Sequence, residues 1–267
     1  MQFKALAIDL DGTLLVGEDL STENRDAVRA AAAAGYKVII ATARWRHMAG
    51  RISTEIGLDA PIIACSGAEV YLPSEERDIF DHRLPEEFTS ELYELCNVNR
   101  CIATITTEDE VLLKLDGEPD PALLSEEMQW VPQLDPEQHA NPRIAAIQGS
   151  KLVAEIKQSL YPKWQDQVNL YDSIGPSGKI VITITAKAAN KGEALRSACS
   201  HLDIDLKDVI SFGDAENDIE MFKITGASVA MGQAEDFIKE AATVTTLSNE
   251  EHGVAATIHQ LLKQGHL

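Results

Sequence analysis

Positive charge is scarce in this 267-residue chain: 23 Lys and Arg stand against 43 Asp and Glu, a formal net charge of −20. A surface that neutralises nucleic-acid phosphates needs a surplus of cations on some face, so the balance argues against a nucleic-acid partner and against docking to an anionic membrane. A small anionic substrate stays compatible only where a local group of cations overrides the global field. Cysteine is sparse as well. Cys65, Cys96, Cys101 and Cys199 form no CxxC pair and lack the dense spacing of a disulfide scaffold, so free thiols are expected. The seven histidines show no metal-ligand spacing, and no apolar run approaches the roughly 20 residues of a membrane span. The first residues lack the basic-then-apolar pattern of a secretory signal. The expected location is cytoplasmic, with a processed organellar protein the open alternative.

What the chain has in quantity is apolar residues, 45% of the total, enough for one large or two modest domains. They fall in short continuous runs over 3–10, 36–42 and 61–66, which read as buried strands. Between them, Ser21 or Thr22 starts a helix over 24–34 that stops at Gly35, and 46–56 forms a helix that stops at Gly57. This alternation predicts an α/β fold: a Rossmann-like, three-layer core with a parallel central sheet and ligands at the carboxyl ends of its strands. From about 85 to 185 the texture changes, with acidic helical segments, strand candidates at 101–107, 111–115, 143–148 and 180–185, helices at 89–96 and 152–160, and loops at 118–121 and 134–142. At Lys191 the first texture returns, with helices at 192–201, 218–225, 235–241 and 253–262 and strands at 209–212 and 228–231. The expected organisation is a core of 1–83 and 187–267 interrupted by an inserted α+β domain over 84–186, with hinges near 82–85 and 186–190.

Candidate chemistry gathers at strand ends. The first strand runs into Asp9-Leu10-Asp11-Gly12-Thr13, two carboxylates two residues apart where such a sheet presents its ligand site. Their repulsion is relieved by a divalent cation, and oxygen-only ligation favours Mg²⁺; the alternative is an ordinary Asp-Gly turn. A second acidic cluster, Gly213-Asp214-Ala215-Glu216-Asn217-Asp218, follows another apolar strand and would meet the first at one sheet edge, or else cap the next helix. Thr42 ends the second strand and offers a hydroxyl, and Lys191 opens a helix and offers a charge. The acidic runs Glu75-Glu76, Glu86-Glu87 and Glu108-Asp109-Glu110 read as solvated faces.

Taken in order, these elements resemble the haloacid-dehalogenase superfamily of phosphoryl-transfer enzymes, and within it the Cof-type, sugar-phosphatase-like (IIB) branch. The matching pieces are Asp9-Leu10-Asp11-Gly12-Thr13, Ala41-Thr42-Ala43-Arg44, Asn190-Lys191-Gly192-Glu193-Ala194-Leu195, Gly213–Asp218, Val229-Ala230-Met231-Gly232 and His252-Gly253-Val254-Ala255. The resemblance implies that the inserted domain is a substrate-selecting cap. It makes Asp9 the nucleophile and Asp11 the general acid and base, with Thr42, Ala43, Arg44, Lys191 and Asn217 around the phosphoryl group. Mg²⁺ would be held by Asp9, the Asp11 carbonyl, Asp214 and Asp218. The implied substrate is a small phosphorylated metabolite, a sugar phosphate or a phosphorylated small acid, acted on by a monomer or small homo-oligomer. A phosphomannomutase-like phosphomutase and a non-catalytic phosphometabolite-binding protein are the alternatives.

Three positions depart from the branch pattern: Ala43 replaces Gly, Ser66 replaces Asn, and Gln233 replaces Asn. Arg44 and Arg46 are candidates to orient an anionic substrate, and Lys114, Arg143, Lys151 and Lys179 are the cations available in the insert.

Overall fold

Ala5–Ile8 forms β1, buried on both faces as a central strand requires. Ser21 caps α1 (Thr22–Ala33), its side-chain oxygen accepting from the Asn24 amide at 3.2 Å. β2 (Lys37–Ala41) pairs parallel with β1, and α2 (Arg46–Ile56) ends at Gly57, whose φ of 86° provides the left-handed stop. β3 (Ile62–Ala64) continues the parallel sheet, and β4 (Glu69–Leu72) returns antiparallel to it, followed by β5 (Arg77–Asp81). Neither β4 nor β5 is legible in the sequence pattern, because Glu69, Arg77, Asp78 and Asp81 interrupt the apolar alternation.

The described residues are 3–264 of this computed structural model, apart from 109, 118, 120–123, 125–127 and 175–179. Asp109, Lys179 and all of the 118–121 loop except Pro119 thus lie outside the described residues. The chain divides into two compact units at Phe80/Asp81 and at Asn190/Lys191. The inserted unit therefore reaches past 84–186 at both ends. Asp81 is tied into it by Arg143 at 2.8 Å and Arg83 at 2.6 Å, and the Ala189 carbonyl accepts from Thr185 Oγ1 at 2.7 Å.

The insert comprises α3 (Glu86–Val98), β6 (Ile102–Thr106), β7 (Val111–Lys114), β8 (Met128–Val131), β9 (Ile144–Gln148), α4 (Ser150–Glu155), α5 (Tyr161–Trp164), β10 (Val168–Ile174) and β11 (Ile180–Ala186). A wider, π-type turn over Ile156–Leu160 joins α4 to α5 and interrupts the helix expected over 152–160. Its sheet runs β10-β11-β9-β6-β7-β8, and Phe88, Leu92, Ile105, Ile147, Leu152 and Ile184 form part of its core. Two of the expected cations are spent inside it. Lys114 pairs with Asp116 at 3.2 Å and Arg143 with Asp81, and both side chains are buried.

After the insert come α6 (Lys191–His201), β12 (Val209–Gly213), α7 (Ile219–Phe222), β13 (Ala227–Ala230), α8 (Asp236–Ala241), β14 (Val244–Thr245) and α9 (Gly253–Gln264). β12 lies on the side of β1 opposite β2, giving an eight-stranded order β14-β13-β12-β1-β2-β3-β4-β5. The chain thus leaves β1 in two directions across the sheet, the arrangement that opens a crevice at the strand ends. The helix expected over 218–225 is instead a 3₁₀ turn, Glu216–Asp218, followed by the short α7.

Candidate active site

Register decides what meets at the sheet edge. Ile8 is level with Phe212 on one side and with Ile40 on the other, so Asp9, Thr42 and Asp214 emerge close to one level. Asp9 is only 4% exposed and Lys191 only 1%. The Lys191 ammonium donates to Asp9 Oδ1 at 2.6 Å and to Asp218 Oδ1 at 2.7 Å. The other oxygen of Asp218 accepts from the backbone amides of Asp214 and Ala215, each at 3.0 Å. That back-bonding accounts for the 3₁₀ turn, since the side chain closes the turn around itself. Thr13 Oγ1 donates to Asp214 Oδ1 at 2.9 Å and fixes the third carboxylate.

One oxygen from each of Asp9, Asp214 and Asp218 lies within 4.8 Å of the others. The Lys191 ammonium thus bonds two of these carboxylates, both buried, and the Thr13 hydroxyl bonds the third. Burial pushes the Asp9 carboxyl well above its ordinary range, with Lys191 opposing and Asp218 and Asp214 adding to the rise. Burial and the Asp218 charge raise Asp214 to about 7. Burial works against the Lys191 charge, but the Asp218 and Asp9 carboxylates outweigh it and hold the lysine protonated. Three converging carboxylates balanced by one ammonium are the donor set that a hard divalent cation satisfies. Two glycines make the convergence possible. A β carbon at Gly12, which has a φ of 80°, would run into the Asp214 carboxylate, and one at Gly213 would run into Asp218.

Asp11 sits apart from this group, with its side chain 52% exposed. Arg44 grips it in a fork, Nε donating at 3.0 Å to Oδ2 and Nη2 at 2.6 Å to Oδ1, while Nη1 donates to Glu18 at 2.6 Å. The arginine expected to reach for substrate thus spends donors on Asp11 and Glu18. Arg46 is likewise committed, pairing with the buried Glu69 at 2.9 Å and lying 5.1 Å from the centre of the Tyr71 ring. Thr42 is buried, its hydroxyl accepting from the Arg44 amide at 3.1 Å. Ala43 is exposed and has no left-handed φ, so replacing the family's glycine there introduces no backbone strain. Cys65 and Ser66 do adopt left-handed φ, 50° and 55°, in a turn pinned to the Thr42 strand by Ser66 N–H donating to the Thr42 carbonyl at 2.9 Å. Asn217 Oδ1 and Ser66 Oγ are buried with no hydrogen-bond partner among the described residues.

Several contributors went unrecognised in the sequence. Gln233 donates to the Gly12 carbonyl at 2.5 Å and accepts from the Asn249 amide at 3.1 Å, while Asn249 donates to the Leu15 carbonyl at 2.9 Å. Together they brace the Asp9–Thr13 loop from the far end of the chain. Thr13 ties the loop to Asp214, and Glu18 holds the Arg44 that forks onto Asp11. Thr13 is marked in the sequence by its place in the first motif and Gln233 by its departure from the branch pattern, and the Gln233 amide spans two backbone segments.

A family model for haloacid dehalogenase-like hydrolases matches residues 6–258. The chain belongs to this family. It is similar to a 5-amino-6-(5-phospho-D-ribitylamino)uracil phosphatase of Bacillus subtilis, 29% identical over 97% of this chain and 98% of that protein. It is also similar to the phosphoglycolate phosphatase of Methanosarcina acetivorans, 26% identical over 99% of each. The solved structure of a haloacid-dehalogenase subclass IIB sugar phosphatase shares its fold, with a TM-score of 0.80 and 22% identity over 97% of this chain and 98% of that one. This member of the family is a phosphatase-type enzyme of the Cof-type branch. Among its described residues, no helix is long and apolar enough to cross a membrane.

Proposed function

We propose that the protein is a Mg²⁺-dependent phosphatase that hydrolyses a small phosphate monoester, a sugar phosphate or a phosphorylated small acid, through an aspartyl-phosphate on Asp9. The observation that carries this reading is the meeting of Asp9, Asp214 and Asp218 at the carboxyl edge of the sheet, with the Lys191 ammonium bonded to Asp9 and Asp218. Asp9, Asp214, Asp218 and the Asp11 carbonyl would hold the cation, which supplies charge neutralisation at the phosphoryl oxygens.

In the first displacement a carboxylate oxygen of Asp9 forms a bond to phosphorus as the ester oxygen departs, and Asp11 delivers a proton to the leaving alkoxide. In the second, the Asp11 carboxylate takes a proton from water as the water oxygen bonds to phosphorus. Inorganic phosphate leaves, and Asp9 is restored. Lys191 anchors Asp9 and balances charge that develops on the transferring group, while Thr42, Ala43 and Asn217 orient it. Acid chemistry requires Asp11 to carry a proton and therefore to relax part of the Arg44 fork during turnover. The insert, over about 84–186, selects the substrate. The location proposed is cytoplasmic, in keeping with four free cysteines, and the working form is a monomer or small homo-oligomer.

Phosphate release from a panel of sugar phosphates, phosphorylated acids, nucleotides and cofactors tests the reading. Release should need added Mg²⁺ and should fall to background in Asp9→Asn. Turnover retained by clean Asp9→Asn protein would refute the nucleophile assignment.

A further inference from the structure

The insert holds two thiols beside a buried cation, a grouping with no part in phosphoryl transfer. Cys96 is buried near the end of α3, and Cys101 precedes β6 and is 7% exposed. Cys101 Sγ donates to the Cys96 backbone carbonyl at 3.5 Å, which brings the start of β6 against the end of α3. Register places Lys114 opposite Ala103, so its side chain reaches back to the start of β6. There the ammonium, 1% exposed, lies 3.7 Å from Cys101 Sγ, 3.3 Å from the Asn99 carbonyl and 3.2 Å from Asp116. A buried lysine is stable where anionic or polar partners surround it, and a Cys101 thiolate supplies a second negative charge beside Asp116.

The two sulfurs are not equivalent. The neighbouring Cys96 side chain lowers Cys101 to about 7, with burial opposing and Lys114 assisting, whereas Cys101 and burial drive Cys96 up. Cys101 also lines a cleft of about 1310 Å³, together with Arg100, Ile102, Gln148 and Lys151. Elsewhere in the chain, burial pushes the Cys199 thiol up to about 12.

We propose that Cys101 and Cys96 form a peroxide-sensitive thiol pair in which Cys101 is oxidised first and Cys96 closes a reversible disulfide. In the first step the Cys101 thiolate attacks one oxygen of hydrogen peroxide. The O–O bond breaks, hydroxide leaves and takes up a proton as water, and Cys101 becomes a sulfenic acid. In the second the Cys96 sulfur attacks the Cys101 sulfur. The S–O bond breaks, and the Cys96 proton leaves with the hydroxyl as a second molecule of water. Peroxide is reduced, two thiols are oxidised, and the end of α3 is tied to the start of β6. Dithiothreitol reverses the bond.

The full-length protein is treated with hydrogen peroxide, the remaining thiols are capped with a maleimide, and the product is read by intact mass and peptide mapping. The expected result is a fall from four reactive thiols under denaturing conditions to two, with Cys96 and Cys101 in one cross-linked peptide that dithiothreitol releases. Cys96→Ser should instead trap a sulfenic acid at Cys101 that dimedone labels. Lys114→Gln should slow the oxidation: each pH unit by which the Cys101 pKa rises leaves about tenfold less thiolate but makes it about threefold more nucleophilic, a net loss of roughly threefold. Four thiols surviving peroxide, or oxidation confined to Cys65 and Cys199, would overturn the proposal. An unchanged rate in Lys114→Gln would remove the lysine from it.

Discussion

Asp214→Asn should stabilise the metal-free protein while removing its response to metal. The variant keeps an oxygen to accept the Thr13 hydroxyl, which now sits 2.9 Å away, and deletes one of three carboxylate charges held within 4.8 Å. Burial and Asp218 raise Asp214 from its ordinary 3.8 to about 7. At 1.36 kcal/mol per pH unit, keeping the group ionised in the folded protein costs about 4 kcal/mol above pH 7. The sign follows from proton counting. Between about pH 4 and pH 7 the folded wild type holds a proton that the unfolded chain has released, so its stability falls as pH rises through that window and then levels. The asparagine variant lacks this slope. In EDTA-treated protein at pH 8, urea unfolding should therefore show the variant more stable by about 2–4 kcal/mol, allowing for the partial solvent access of Asp214, with the gap closing toward pH 4. Mg²⁺ at a hundredfold excess over its Kd should add about 2.7 kcal/mol to the wild type and far less to the variant. A variant no more stable than wild type at pH 8, or a gap indifferent to pH, would refute the charge-frustration argument.

Other substitutions separate positioning from binding and structure from chemistry. Arg44→Ala frees Asp11 from a fork whose donors lie at 2.6 and 3.0 Å; kcat should fall roughly tenfold or more with KM little changed, and Arg44→Lys should not restore it. A rise in KM with unaltered kcat would instead make Arg44 a substrate contact. Asn24 is buried, donating to the Leu14 carbonyl at 2.9 Å and accepting from the Ala255 amide at 3.1 Å, so Asn24→Ala should lower unfolding free energy by about 2–5 kcal/mol. A loss under about 1 kcal/mol in a urea melt would show that those backbone groups find other partners.

The parallel half of the core was legible because its strands are continuous apolar runs punctuated by helix stops, as with Ala5–Ile8 and the Gly57 terminus of α2. The same punctuation placed Asp9 and Asp214 at strand ends, where the structure brings their side chains together. β4, β5, β8 and β10 were not legible, since strands with polar faces or short bounds carry little period-two signal; Met128–Val131 offers only four residues. Long-range partners were equally hidden. Thr13 and Asp214 are 201 residues apart and Gln233 and Gly12 are 221, so nothing local marks them as one site. The conversion of Asp218 from helix start to back-bonded turn also depends on where Lys191 arrives, which only the fold determines. Arg46 illustrates the converse: a cation beside a phosphate-site motif looked available, yet the buried Glu69 claims it.

The nucleophile role of Asp9 is the central claim, and the most direct measurement is rapid acid quench of Asp11→Asn during turnover of p-nitrophenyl phosphate with Mg²⁺. This leaving group departs without a proton, while the variant has no base to activate water, so the first displacement proceeds and the second stalls. The account expects a burst of p-nitrophenol matched to one phosphoryl group per protein, mapped by peptide mass to Asp9. Phosphorylation at another residue, or a burst with no covalent adduct, would contradict it.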